Sequence, residues 1–178
     1  MRALVVLSVI VLASCGYTTT NATSAEEQKI ESWWTPKSND NPLITAAHYI
    51  GYSETTHRAE LREYTGVDPV RTEWCAAFIN SVLEESGIPS NNNHKYPLTA
   101  RAFLDWGVKV SKDNIQGGDI VVFPRGNQGW QGHVGFYVRT MVINNVTYYV
   151  ILGGNQNNKV SVELYPASGA LGIRRGSA

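Results

Sequence analysis

Cysteine is scarce: 178 residues hold two, Cys15 and Cys75. There is no excess of basic charge, since 15 Lys and Arg stand against 15 Asp and Glu. A nucleic-acid partner, which would want a basic surplus, is therefore not expected. No His-Glu-x-x-His or comparable ligand spacing occurs, which sets a metallo-hydrolase aside, and no cofactor is implied. No internal repeat is visible. The longest apolar run near the front, residues 3–12, is too short to span a bilayer. What remains is an ordinary globular composition, 43% hydrophobic and 17% charged, enough for one domain with a core and a tail.

Residues 1–14 have the layout of a removable signal segment. Arg2 is its charge and residues 3–12 its apolar core. The segment closes on Leu12-Ala13-Ser14-Cys15, which resembles the bacterial lipobox, where the cysteine is lipidated and becomes the first residue of the mature chain. An ordinary secretory signal cut nearby is the alternative. Removing residues 1–14 takes away Arg2 alone among the charges, leaving 14 basic against 15 acidic residues. Residues 15–41, rich in Thr, Ser, Asn and Glu, read as a lipidated flexible tether, interrupted by Trp33 and Trp34. Residues 42–178 read as the folded domain. With Cys15 lipidated, Cys75 has no disulfide partner, and an unpaired thiol in an oxidising compartment is a liability unless buried or used.

The domain begins with helical patterns at residues 43–52 and 58–64, the second ended by Gly66. Cys75, Phe78, Ile79 and Val82 recur at i, i+3, i+4 and i+7, the spacing of an amphipathic helix, with Gly87 and Pro89 as stop signals. Thr99 can cap a further helix through Trp106. Strand-like runs follow: 120–123, 133–143, 146–152, 160–164 and 171–174. Asn144-Asn145 reads as a two-residue hairpin turn, and Gly153-Gly154 as a break. Helices first and an antiparallel sheet second argue α+β.

Cys75 falls in the first turn of its helix, where unpaired N–H groups favour negative charge and a lowered thiol pKa. A small buried hydrophobe is the competing reading. A nucleophilic cysteine needs a base within hydrogen-bond reach. Of His48, His57, His94 and His133, only His133 opens a strand, within Gly132-His133-Val134-Gly135-Phe136. With Asn144-Asn145 as the turn, strict pairing sets His133 opposite Gln156. One bulge in the ladder would bring Asn155 there instead.

Four motifs occur in order: Trp74-Cys75-Ala76-Ala77-Phe78, Gly118-Asp119-Ile120-Val121-Val122-Phe123, Gly132-His133-Val134-Gly135-Phe136 and Gly153-Gly154-Asn155-Gln156. Together they resemble the CHAP-type amidohydrolase/peptidase family, a branch of the papain-like cell-wall hydrolases that includes the NlpC type. The resemblance runs from about Leu43 to Arg174. It implies a papain-like α+β fold and hydrolysis of an amide in peptidoglycan, by amidase or endopeptidase cleavage. It implies Cys75 as nucleophile, His133 as base and Asn155 as the residue that orients it. Many members carry Glu two positions before Asn155, where this chain has Gly153. No glutamine precedes Cys75 at papain-like spacing, so the Cys75 N–H is the one nameable oxyanion donor.

Trp74, Trp130 and Gln156 are candidates for the substrate groove, although burial in the core is an equal reading for the two tryptophans. Asp119, after Gly-Gly, reads as a turn cap rather than a catalytic acid. The expected protein is a monomer held at a membrane by its lipid and acting on peptidoglycan in the cell envelope. In a host with two membranes, Gly16 after the lipidated cysteine points to the outer one, facing the periplasm. An inactive wall-binding lipoprotein of the same fold and a papain-like acyltransferase are the other readings.

Overall fold

The structure is a computed structural model and describes residues 41–176. The expected signal segment, Cys15, Trp33 and Trp34 lie outside the described residues. Helix α1, Asn41–Ala47, opens with Pro42 in its first turn, where a missing N–H costs nothing. It is shorter than the 43–52 pattern suggests. Its apolar residues continue as turns, reversed at Gly51 with φ 90°. Helix α2, Arg58–Thr65, ends at Gly66, whose left-handed φ of 71° lets its N–H close on the Arg62 carbonyl.

Helix α3, Cys75–Glu85, is buried on nearly every side, from Cys75 through Asn80 and again at Val82 and Leu83. A helix apolar all round belongs in a core, which is why it carries more buried residues than its one predicted face. It stops where Gly87 predicts. The Ile88 N–H reaches the Leu83 carbonyl at 2.8 Å, and the Gly87 N–H reaches that of Glu84 at 3.0 Å. That pair is a Schellman stop, and it needs the φ of 72° that glycine adopts freely. The helix expected after Thr99 forms as a 3₁₀ segment, Ala100–Asp105, without a cap from the Thr99 side chain.

Six strands make one antiparallel sheet in the order β1-β6-β2-β3-β4-β5. They are β1 Val108–Lys109, β2 Ile120–Pro124, β3 Gly132–Ile143, β4 Val146–Gln156, β5 Lys159–Pro166 and β6 Gly172–Arg175. Helices packed on an antiparallel sheet give the α+β architecture expected. The sheet is apolar on both faces. Val122, Val134, Phe136 and Leu152 pack with Leu43, Trp74 and Phe78 on the helical side. Val121, Phe123, Tyr137 and Ile151 form a second cluster on the other. Two covered faces explain why residues 120–123 run continuously apolar instead of alternating.

Two asparagine pairs make the long hairpins. Asn144 and Asn145, at φ 49° and 63°, join β3 to β4 as predicted. Asn157 and Asn158, at φ 52° and 61°, join β4 to β5. Gly153 and Gly154 do not break the strand as expected; β4 runs through both. Gly154 is glycine because a Cβ there would lie 2.5 Å from the Trp74 ring.

Asp119 behaves as a turn residue and more. Its carboxylate accepts the Gln116 N–H at 2.8 Å and pairs with Arg175 at 2.6 and 2.8 Å. It is 2% exposed, so Arg175→Met would strand a buried carboxylate. We expect a loss of about 3 kcal/mol in urea unfolding, far more than a surface ion pair costs.

Candidate active site

Cys75 is placed by the start of α3 and His133 by the start of β3. The β3–β4 pairing runs only as far as Phe136↔Leu152. Just beyond, the Cys75 sulfur lies against the backbone N–H of Val134, the neighbour of His133, and that of Ala76. Both residues are almost fully covered, at 3% and 1% exposure. Burial pushes the Cys75 thiol up, and the Arg125 charge and the two N–H groups only partly offset it. The expected lowering at the helix start is thus reversed, because desolvation outweighs a partial dipole charge. The sulfur is set against Val134, the residue that follows His133 on β3.

The partner of His133 differs from the family-based expectation. Its Nε2 lies 3.0 Å from Oε1 of Gln156, while Asn155 turns away and donates from Nδ2 to Glu73 at 2.6 Å. Two backbone irregularities explain this. The ladder does bulge, between Tyr137 and Arg139, which by itself moves the register toward Asn155. Asn155 then adopts a left-handed φ of 56°, and the β4–β5 register slips between Gly153 and Gln156. The second irregularity swings the Gln156 side chain back under the imidazole. A Cβ at Gly153 would stand 3.4 Å from Gln156 Oε1, an ordinary packing contact.

Gln156 is 2% exposed, and its amide has one workable orientation. Nε2 donates to the Ser161 carbonyl at 2.6 Å, so Oε1 faces the ring and must accept. His133 therefore carries its hydrogen on Nε2. Nδ1 is left with a lone pair, buried and without a hydrogen-bond partner. Tyr165 stacks on the ring at 5.2 Å and Phe123 on Tyr165 at 4.6 Å, fixing the imidazole plane. Burial first, then the Arg125 charge, pushes the imidazole down to about 3, against a smaller upward pull from Gln156. In this conformation thiol and imidazole are both neutral at pH 7.

That shift has a stability consequence. The unfolded chain takes up the His133 proton near the ordinary 6.5, the folded chain only near 3. Stability should be complete above pH 6.5, fall as pH drops toward 3, and lose no more from this group below that. The ceiling is on the order of 5 kcal/mol. Urea unfolding at pH 7.5, 5.5 and 4.5 checks it: His133→Gln should flatten the slope across that range.

The remaining candidates separate. Trp74 does not line a groove: it is fully buried, and its indole donates to Glu54 at 2.8 Å. Gln156 likewise belongs to the buried network rather than to a surface. Trp130 is 66% exposed, on the loop before His133. Three residues escaped the sequence reading. Arg125 follows β2 and bonds the Asn155 carbonyl at 2.9 Å and Glu73 at 3.5 Å. Ser161 fixes Gln156. Tyr165 covers His133, and the Arg125 charge acts on its hydroxyl. Ser161 and Tyr165 could have been suspected only from the β4–β5 register, which depends on the unforeseen Asn157-Asn158 turn.

Residues 67–155, half of the chain, match the model of the CHAP domain family. No curated protein matches the chain. Similar solved structures include two NlpC/P60 family proteins. One is an NlpC/P60 family protein from Bacillus cereus, at 18% identity and TM-score 0.45, over 80% of this chain and 41% of that one. The other, from Staphylococcus aureus, is described as similar to lipoprotein, NLP/P60 family, at 18% identity and TM-score 0.49, over 83% and 47%. This chain spans less than half the length of either.

Proposed function

Since the chain belongs to the CHAP domain family, we propose that it hydrolyses an amide bond of peptidoglycan, as amidase or endopeptidase, with Cys75 as nucleophile and His133 as base. The observation that carries this reading is the His133 ring, held as one tautomer by Gln156 with its Nδ1 lone pair buried and unpartnered, on a strand whose next residue, Val134, offers its N–H to the Cys75 sulfur. As the Cys75 sulfur attacks the carbonyl carbon, its proton passes to Nδ1. The developing oxyanion takes the Cys75 backbone N–H at the start of α3. Nδ1–H then protonates the departing amine, leaving a thioester. Water, deprotonated by Nδ1, opens the thioester and restores the thiol. Because the resting pair is neutral, proton transfer accompanies attack rather than preceding it.

Gln156 orients the ring in this scheme and Asn155 does not touch it. Trp130 offers an exposed aromatic face to sugar or stem peptide. The enzyme is lipidated at Cys15 and tethered through residues 16–40, the expected boundary moving by one because Asn41 opens α1, in the cell envelope, and on the outer membrane in a host with two. Metabolic labelling with a fatty-acid analogue checks the anchor. Cys15→Ala should incorporate none, and label persisting in that variant would remove the lipoprotein reading.

Mass spectrometry of products from purified peptidoglycan tests the activity and separates amidase from endopeptidase by the new termini. A second reading, an inactive wall-binding fold, draws on the near-complete burial of Cys75. Peptidoglycan left intact by the wild-type protein, with a thiol inert to alkylation at neutral pH, would favour it.

A further inference from the structure

Arg125 stands where β2 ends, beside both members of the candidate pair. Its charge acts on Cys75, on His133 and on Tyr165. The guanidinium is held by a neutral group: Nη2 donates to the Asn155 carbonyl at 2.9 Å, near the Tyr165 hydroxyl on which its charge acts. Its carboxylate contact is of another kind. Nη1 meets Glu73 Oε2 at 3.5 Å, too long for a good charge-assisted bond, and that side chain is 80% exposed against 34% for Arg125. At such exposure the ion pair itself contributes little, and the firmer hold on the same Oε2, the Asn155 Nδ2 donor at 2.6 Å, is one that another carboxylate in its place could equally accept. When Glu73 leaves, Arg125 stays anchored with a fork still open to solvent.

We propose that Arg125 is a carboxylate-binding residue of the substrate site, and that Glu73 occupies its fork until a free carboxylate of the stem peptide displaces it. The proposal rests on the peptidoglycan-hydrolase reading for the identity of the ligand. Glu73 is two residues from the nucleophile and Asn155 one from Gln156, so a carboxylate taken there lies close to the reacting amide. The fork geometry of arginine suits a planar carboxylate better than an ammonium would. A primary carboxamide in the same place would bring donors against donors and should be refused.

The test compares stem-peptide substrates differing only in having that carboxylate free or converted to the carboxamide. The wild-type enzyme should prefer the free acid by about tenfold in kcat/KM, mostly through KM. Arg125→Gln should bring the ratio near one, Arg125→Lys should restore part of it, and Glu73→Gln should lower KM for the free acid. Equal use of the two forms by the wild type overturns the proposal. So does a ratio that survives Arg125→Gln. A second arm needs no turnover and no variant. Titrating the wild-type protein with N-acetyl-D-alanine should move the Arg125 Nε–H resonance, while N-acetyl-D-alaninamide should not. If no wall substrate is cleaved, the hydrolase reading falls and this arm alone decides; an unmoved Arg125 signal with the acid overturns the proposal.

Discussion

Cys75→Ser should reduce peptidoglycan cleavage by at least about 10³, and His133→Ala by at least about 10². The two losses have different origins. A serine hydroxyl at position 75 keeps the shape of the site, but its proton is far harder to remove than a thiol's. His133 at its depressed pKa is a weak base, adequate for a thiol and inadequate for an alcohol. Removing His133 leaves the sulfur in place with no acceptor for its proton and no donor to the leaving amine. The double variant should be scarcely worse than Cys75→Ser alone, since the two groups act as a unit. Release of soluble fragments from purified peptidoglycan measures all three. Activity of Cys75→Ser within tenfold of wild type would dismiss the cysteine mechanism. Thermal unfolding serves as the control, and it should move more for His133→Ala, which empties a buried site, than for Cys75→Ser.

The physical reasons for what the sequence displayed and hid are local. Helix α3 was legible because its apolar period and its glycine stop are both short-range signals. The first hairpin was legible because Asn-Asn tolerates left-handed φ at both turn positions. The partner of His133 was half legible. Spacing narrowed it to Gln156 or Asn155, but the choice rests on two offsets, a bulge in β3 and a left-handed residue in β4. Each moves the register by one and together they nearly cancel. An asparagine at φ 56° carries no signature that separates it from one in extended backbone. The reversal of the Cys75 shift was hidden for another reason: a helix start is visible in sequence, whereas desolvation depends on everything that closes over the sulfur. Trp74 shows the same limit. Its place beside the nucleophile suggested a groove, and only the glycine at 154 reveals that the ring is pressed against β4.

The assignment of the orienting residue makes the last prediction. Gln156→Ala should lower kcat/KM by about a hundredfold, and Asn155→Ala by much less. Without Gln156 the imidazole loses the acceptor that keeps hydrogen on Nε2. The ring can then carry it on Nδ1, which then has no lone pair for the thiol proton and cannot serve as base. ¹⁵N NMR of His133 reads this directly: the wild type should show the Nε2–H tautomer alone, and Gln156→Ala a mixture. Asn155→Ala should leave the tautomer untouched, because its amide bonds Glu73 and only its backbone carbonyl holds Arg125. Some stability should go with Gln156 as well, since the Ser161 carbonyl would lose its 2.6 Å donor. Activity and tautomer must therefore move together in Gln156→Ala for the assignment to hold. A fall in activity with the wild-type tautomer intact would make Gln156 merely structural. Damage confined to Asn155→Ala would return the orienting role to the family position, in a site that rearranges when substrate binds.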